Sequence, residues 1–77
     1  NRIMGEKPRF VICLKNDEYE VSLEVRKVYR VVGDPQASQL QMIRVVDESG
    51  EDYLYPQEMF ASIELSQAVI EALSLAA

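Results

Sequence analysis

The sequence predicts a mainly β fold, a small open barrel or sandwich of about five short strands followed by one terminal helix. Short apolar runs rich in β-branched and aromatic residues, turn residues between them, and a helical pattern that appears only at the end carry this expectation. The chain has 77 residues, 48% hydrophobic and 27% charged, so residues 1–77 are read as one domain with no room for a second.

Arg9-Phe10-Val11-Ile12-Cys13-Leu14-Lys15 is apolar on both alternating faces and charged at its ends, the pattern of a strand covered on two sides. Asn16-Asp17-Glu18 is turn chemistry, because Asn and Asp satisfy backbone groups locally. Residues 25–32 read as a second strand, with Tyr29 and Val31 on one face and Arg26, Val28, Arg30 and Val32 on the other. Gly33-Asp34-Pro35 ends it, since Pro35 has no amide to donate. Residues 40–46 and 53–55 form a hairpin around Asp47-Glu48-Ser49-Gly50-Glu51-Asp52, with Gly50 where the turn needs a left-handed residue. Pro56 closes that strand, 57–60 reads as one helical turn, and 61–64 as a last brief strand.

Ser66 is placed to cap a helix over 66–75. Val69, Ile70 and Leu73 form the stripe expected to dock on the sheet. Ala68, Ala72 and Leu75 lie on the other side, an apolar area that would allow a weak homodimer.

The chain contains no His, no Trp and one Cys, and carries a formal charge of -5. His-based triads, His zinc sites, four-Cys clusters and disulfide frameworks therefore lack their atoms. Cys13, between Ile12 and Leu14, is expected to pack as a small buried hydrophobe, with no base beside it to make it a nucleophile. The carboxylates Asp47, Glu48, Glu51 and Asp52 do not follow a calcium loop, because Gly50 is fourth counting from Asp47 where such a loop wants glycine sixth. A solvated turn is the expectation. No catalytic group, cofactor or metal is anticipated. No apolar stretch approaches the roughly 18 to 20 residues of a membrane span, and residues 1–10 lack a signal-type hydrophobic region. A reducing cytoplasm is the expected location.

The order of these motifs resembles a Src-homology-3-type barrel. Residues 19–31, Tyr19-Glu20-Val21-Ser22-Leu23-Glu24-Val25-Arg26-Lys27-Val28-Tyr29-Arg30-Val31, resemble that family's acidic loop-to-strand segment, in which a Leu packs inward before a turn and an apolar strand. Gly50 to Ile63, with Leu54-Tyr55-Pro56 followed by Phe60, is similar to its last strands and their intervening helical turn. Together these segments cover about a third of the chain. Peptide-binding members carry a groove Trp and a long acidic loop after the first strand. Here Trp is absent and the loop reads as short, so the resemblance implies the barrel and not a proline-rich ligand. Residues 43–56 also resemble a family of short uncharacterised bacterial proteins, which implies no activity.

What remains is a non-enzymatic module that binds another protein through a tyrosine-bearing face or through the terminal helix. Tyr53 and Tyr55 alternate onto one side of their strand, and Tyr19 and Tyr29 would join them if the barrel closes. Leu75 represents the helix. One or two of these rings would instead cap the barrel. The acidic balance favours a partner of basic character. The alternative is single-stranded nucleic acid bound by Arg26, Lys27, Arg30 and Arg44 beside Tyr29. Net charge argues against it, and cross-strand pairing of these cations with Glu20, Glu24 or Glu51 is the expected arrangement.

Overall fold

The structure, a computed structural model, describes residues 9–73. It is mainly β. Strands β1 (Arg9–Cys13), β2 (Val28–Val31), β3 (Met42–Val46), β4 (Asp52–Pro56) and β5 (Phe60–Ile63) precede helix α1 (Gln67–Ala72), with short 3-10 turns at Ser38–Leu40 and Gln57–Met59. All pairings are antiparallel, in the order β4-β3-β2-β1-β5. The hairpin turn, the helical turn after Pro56 and the Ser66 cap fall where the residues placed them. Gly50 has a φ of 87°, and the Ser66 hydroxyl accepts from the Val69 amide at 3.3 Å.

β4 and β5 are opposite edges of the sheet, yet only Gln57–Met59 separates them. The edges of a flat five-stranded sheet lie about 19 Å apart, and a 3-10 turn advances only about 2 Å per residue. The sheet must therefore roll. The rings of Tyr55 on β4 and Phe60 on β5 meet at 6.3 Å across the seam. The sheet does not close into a complete barrel, because β4 and β5 share no ladder, and the small open β fold expected from the sequence holds. Pro56 has no amide to offer, and side chains fill the seam in place of backbone bonds.

Alternation decides what the roll encloses. Val11 and Cys13 face inward from β1, Tyr29 and Val31 from β2, Val45 from β3, Tyr55 from β4 and Phe60 from β5, with Leu23 and Met59 closing the ends. Cys13 is fully buried and free, as its apolar neighbours implied. Phe10, on the other face of β1, is also buried, so this central strand is covered on both sides.

Two expectations about elements change. The second strand begins at Val28 rather than at residue 25, so residues 14–27 form a long loop where the sequence read as a short one. Arg26 breaks the strand pattern by adopting a left-handed φ of 72°, while its amide donates to Cys13 O and Cys13 N donates to Lys27 O. Glu18 is also left-handed, at 73°. Non-glycine residues are strained there by about 1 kcal/mol or more. Arg26→Gly is therefore expected to raise stability by roughly 0.5–1 kcal/mol, the relief less glycine's entropy cost. Arg26→Ala, which keeps the strain, should leave the urea midpoint unchanged; equal midpoints for the two variants would refute the account.

The second change concerns α1, whose described turns run only from Gln67 to Ala72. Of the predicted stripe, Ile70 alone is buried, and Val69 and Leu73 stay exposed. A helix of six residues makes under two turns, so a single position faces the sheet. Leu73 borders a groove with Val28, Arg30 and Val46, which puts the end of α1 on the outer face of β2 and β3. Leu75 lies outside the described residues. No described helix is long and apolar enough to cross a membrane.

Candidate functional site

Loop 14–27 folds by consecutive turns. Tyr19 N donates to Asn16 O at 2.7 Å, and Ser22 N and Leu23 N both donate to Tyr19 O, at 3.0 and 2.9 Å. The Asn16 side chain donates to Leu23 O at 2.8 Å, which ties the start of the loop to its middle. This winding separates two residues that strict alternation would put on one side. Leu23 is 1% exposed and plugs the core, whereas Val21 is 97% exposed.

The tip of the loop rests on the β3–β4 hairpin, where Glu48 N donates to Ser22 O at 3.0 Å. Two tyrosine hydroxyls fasten the same junction from inside. Tyr29 donates to Glu48 Oε2 at 2.6 Å and accepts from the Glu24 amide at 2.7 Å, joining hairpin to loop. Tyr55 donates to Asp47 Oδ2 at 2.5 Å, and the other oxygen of Asp47 accepts from the amide and hydroxyl of Ser49. Lys27 Nζ lies 2.7 Å from Glu48 Oε2. Above these bonds the Tyr19 ring meets Tyr55 edge-on at 5.0 Å, and Tyr29 meets Phe60 at 6.5 Å.

The predicted tyrosine face is thus divided. Tyr29 and Tyr55 are core residues whose hydroxyls serve the fold. Tyr19 is half-buried, and Tyr53 is 49% exposed, its hydroxyl donating to Glu51 at 3.1 Å. Tyr53 and Tyr55 share the inward side of β4, but Tyr53 lies nearer the hairpin, beyond the reach of the core. Val21 joins Tyr53 and Tyr19 at this end. The sequence signals it weakly, by an apolar residue flanked by Glu20 and Ser22 after an Asn-Asp turn.

The acidic hairpin is not simply solvated. Asp47 is 6% exposed and, with Glu48, accepts from buried tyrosines; Glu51 and Asp52 remain in solvent. Among the described residues no group of three or more Cys, Asp or Glu could hold a metal ion. The cations also pair differently from expectation. Lys27 takes Glu48, and Arg44 takes Asp34 at 2.9 Å, rather than Glu20, Glu24 or Glu51. Arg26 is exposed on the loop, and Arg30 lies half-buried on the outer face of β2. Burial raises the pKa of the Cys13 thiol, which donates to Lys15 O, so it sits protonated among core side chains.

These bonds set a pH response. Burial raises the Asp47 carboxyl, but hydrogen bonds from Ser49 and Tyr55 together bring it below its ordinary value. Lys27 and then Tyr29 lower Glu48, and Arg44 lowers Asp34. Burial first, then the Asp47 carboxylate, pushes Tyr55 up to about 12; burial and Glu48 raise Tyr29. The carboxylates stabilise the fold fully above their unfolded pKa values of about 4, and that contribution is lost as pH falls through the folded values. The tyrosines contribute fully below their unfolded value of about 10, and lose this as pH rises through the folded values. A urea midpoint followed against pH should be level between about pH 6 and 9 and fall on both sides. A midpoint still level at about pH 11 would contradict the tyrosine assignment.

Comparison with protein-family models, with curated proteins and with solved structures finds no match for this chain.

Proposed function

We propose that this chain is a non-enzymatic protein-interaction module, and that it binds through the end where loop 14–27 meets the β3–β4 hairpin. The observation that carries the reading is Val21, an apolar side chain 97% exposed on a loop otherwise tied down by Asn16, Glu24 and Leu23. The half-exposed Tyr53 of the hairpin and the half-buried Tyr19 of the loop add aromatic surface at this end, and aromatic side chains bring binding surface at low rotamer cost. The anchored backbone beneath limits the ordering cost of association.

The strand order β4-β3-β2-β1-β5, the long first loop and the 3-10 turn between the last strands support an SH3-like topology for the module. Without Trp, a proline-rich ligand has no principal stacking partner. A buried Cys13 suits a reducing cytoplasm. The cations of the nucleic-acid alternative are dispersed, two of the four being neutralised by neighbouring carboxylates.

The test is co-purification from native lysate with three forms of the protein. Val21→Asp with Tyr53→Ala should lose the proteins that the unaltered chain retains, while Leu73→Asp on α1 keeps them. All three positions are exposed, so stability should move by no more than about 0.5 kcal/mol at each. Retention by the first variant would sink the assignment, and loss only with Leu73→Asp would move the surface to the helix.

A further inference from the structure

We infer that the partner presents an extended, lysine- or arginine-bearing segment that lies along the free edge of β4, with an apolar side chain against Val21 and Tyr53. This rests on the reading above that the loop and hairpin form the binding surface.

The first support is the distribution of charge. Residues 14–27 and 47–53 hold eight of the 13 carboxylates and three of the eight cationic side chains, so the whole excess of five negative charges lies there and the rest of the chain is balanced. Within these segments Lys27 is matched by Glu48. Asp17, Glu18, Glu20, Glu24, Glu51 and Asp52 are all exposed, and none is in an ion pair among the described residues. The fold brings the two segments together through the Ser22 and Glu48 backbone, so their fields add over a distance comparable to the Debye length of about 8 Å. Like charges crowded beside exposed apolar groups are unfavourable in the free protein, and a cationic partner relieves that repulsion while covering the apolar area.

The second support is the edge itself. Asp47 N donates to Glu51 O at 3.0 Å, which fixes the phase of the ladder. Residues 53 and 55 then direct their backbone groups to β3, where they pair with Val45 and Ile43. Asp52 and Leu54 direct theirs away, and no backbone hydrogen bond from loop 14–27 reaches them. An extended segment can pair there, taking its hydrogen bonds from the backbone and its selectivity from side chains on alternate positions.

The probe is a synthetic peptide with lysines on either side of a single phenylalanine, beside counterparts carrying glutamine or glutamate in place of lysine, titrated into the isotope-labelled chain. The lysine peptide is expected to shift the amides of Val21, Asp52, Tyr53 and Leu54 and to slow exchange at Asp52 and Leu54. Its affinity should fall about tenfold or more from low to high salt, and should exceed that of the glutamine peptide by a similar factor. Glu20→Gln with Asp52→Asn should weaken it several-fold and leave the fold intact. Equal binding of the lysine and glutamine peptides at these amides would overturn the cationic partner while leaving the binding surface standing. Shifts elsewhere, indifference to the double variant, no binding, or preferential binding of a single-stranded RNA oligonucleotide would overturn the inference. Failure of the surface reading is read separately, from retention of native partners by the Val21→Asp and Tyr53→Ala form.

Discussion

Leu23→Ala is expected to cost about 2 to 5 kcal/mol, against a total of roughly 5 kcal/mol at the lower end for small domains. Leu23 is 1% exposed and is the only residue of loop 14–27 in the fully buried cluster with Val11, Cys13 and Val45. Its removal leaves a cavity where the loop enters the core, and little can collapse to fill it. Tyr29 and Tyr55 are held in place by the hydrogen bonds of their hydroxyls. The urea midpoint should drop by most of its value, with any folded fraction showing faster amide exchange across residues 16–24. Leu23→Met, close in volume, should cost less than about 1.5 kcal/mol. A change under about 1 kcal/mol for the alanine variant would mean that the loop is not held by this side chain.

Asp47→Ala should destabilise by about 1 to 3 kcal/mol, because it leaves the buried Tyr55 hydroxyl without its acceptor and frees the amide and hydroxyl of Ser49. Tyr55→Phe alone also orphans an acceptor, on Asp47. Once Asp47 is alanine, however, the Phe substitution should cost less or become favourable, since it then removes an unsatisfied group. The coupling from a double-mutant cycle is expected to be at least about 1 kcal/mol. Additive effects would show that the two groups do not act as a pair. The Asp47→Ala form should also lose part of the acid-side slope of the pH profile, because the carboxyl whose folded pKa lies below its unfolded one is gone.

Both variants concern residues whose roles are hidden from local reading. Tyr29, Tyr53 and Tyr55 look alike in the sequence, each beside a charged or apolar neighbour at strand spacing. Tyr29 and Tyr55 became core only because the sheet rolls until β4 and β5 bring Tyr55 and Phe60 into contact. Tyr53, two residues nearer the hairpin on the same side, lies past the end of that enclosure. Val21 and Leu23 are equivalent by strict alternation, and only the resemblance implied that a Leu packs inward. The consecutive turns through Asn16 and Tyr19 put Leu23 in the core and Val21 in solvent.

What the amino-acid order determined unaided was short-range. Cys13 is buried because its run is apolar on both faces, Gly50 turns left-handed because a hairpin requires it, Pro56 stops β4, and Ser66 caps α1 with its own hydroxyl. Each depends on a residue and its near neighbours. Tertiary structure decided the rolled but open sheet, the burial of Asp47, the pairing of Lys27 with Glu48 across 21 residues, and the meeting of loop 14–27 with the hairpin. Those outcomes depend on register and curvature, through contacts between segments far apart in the chain.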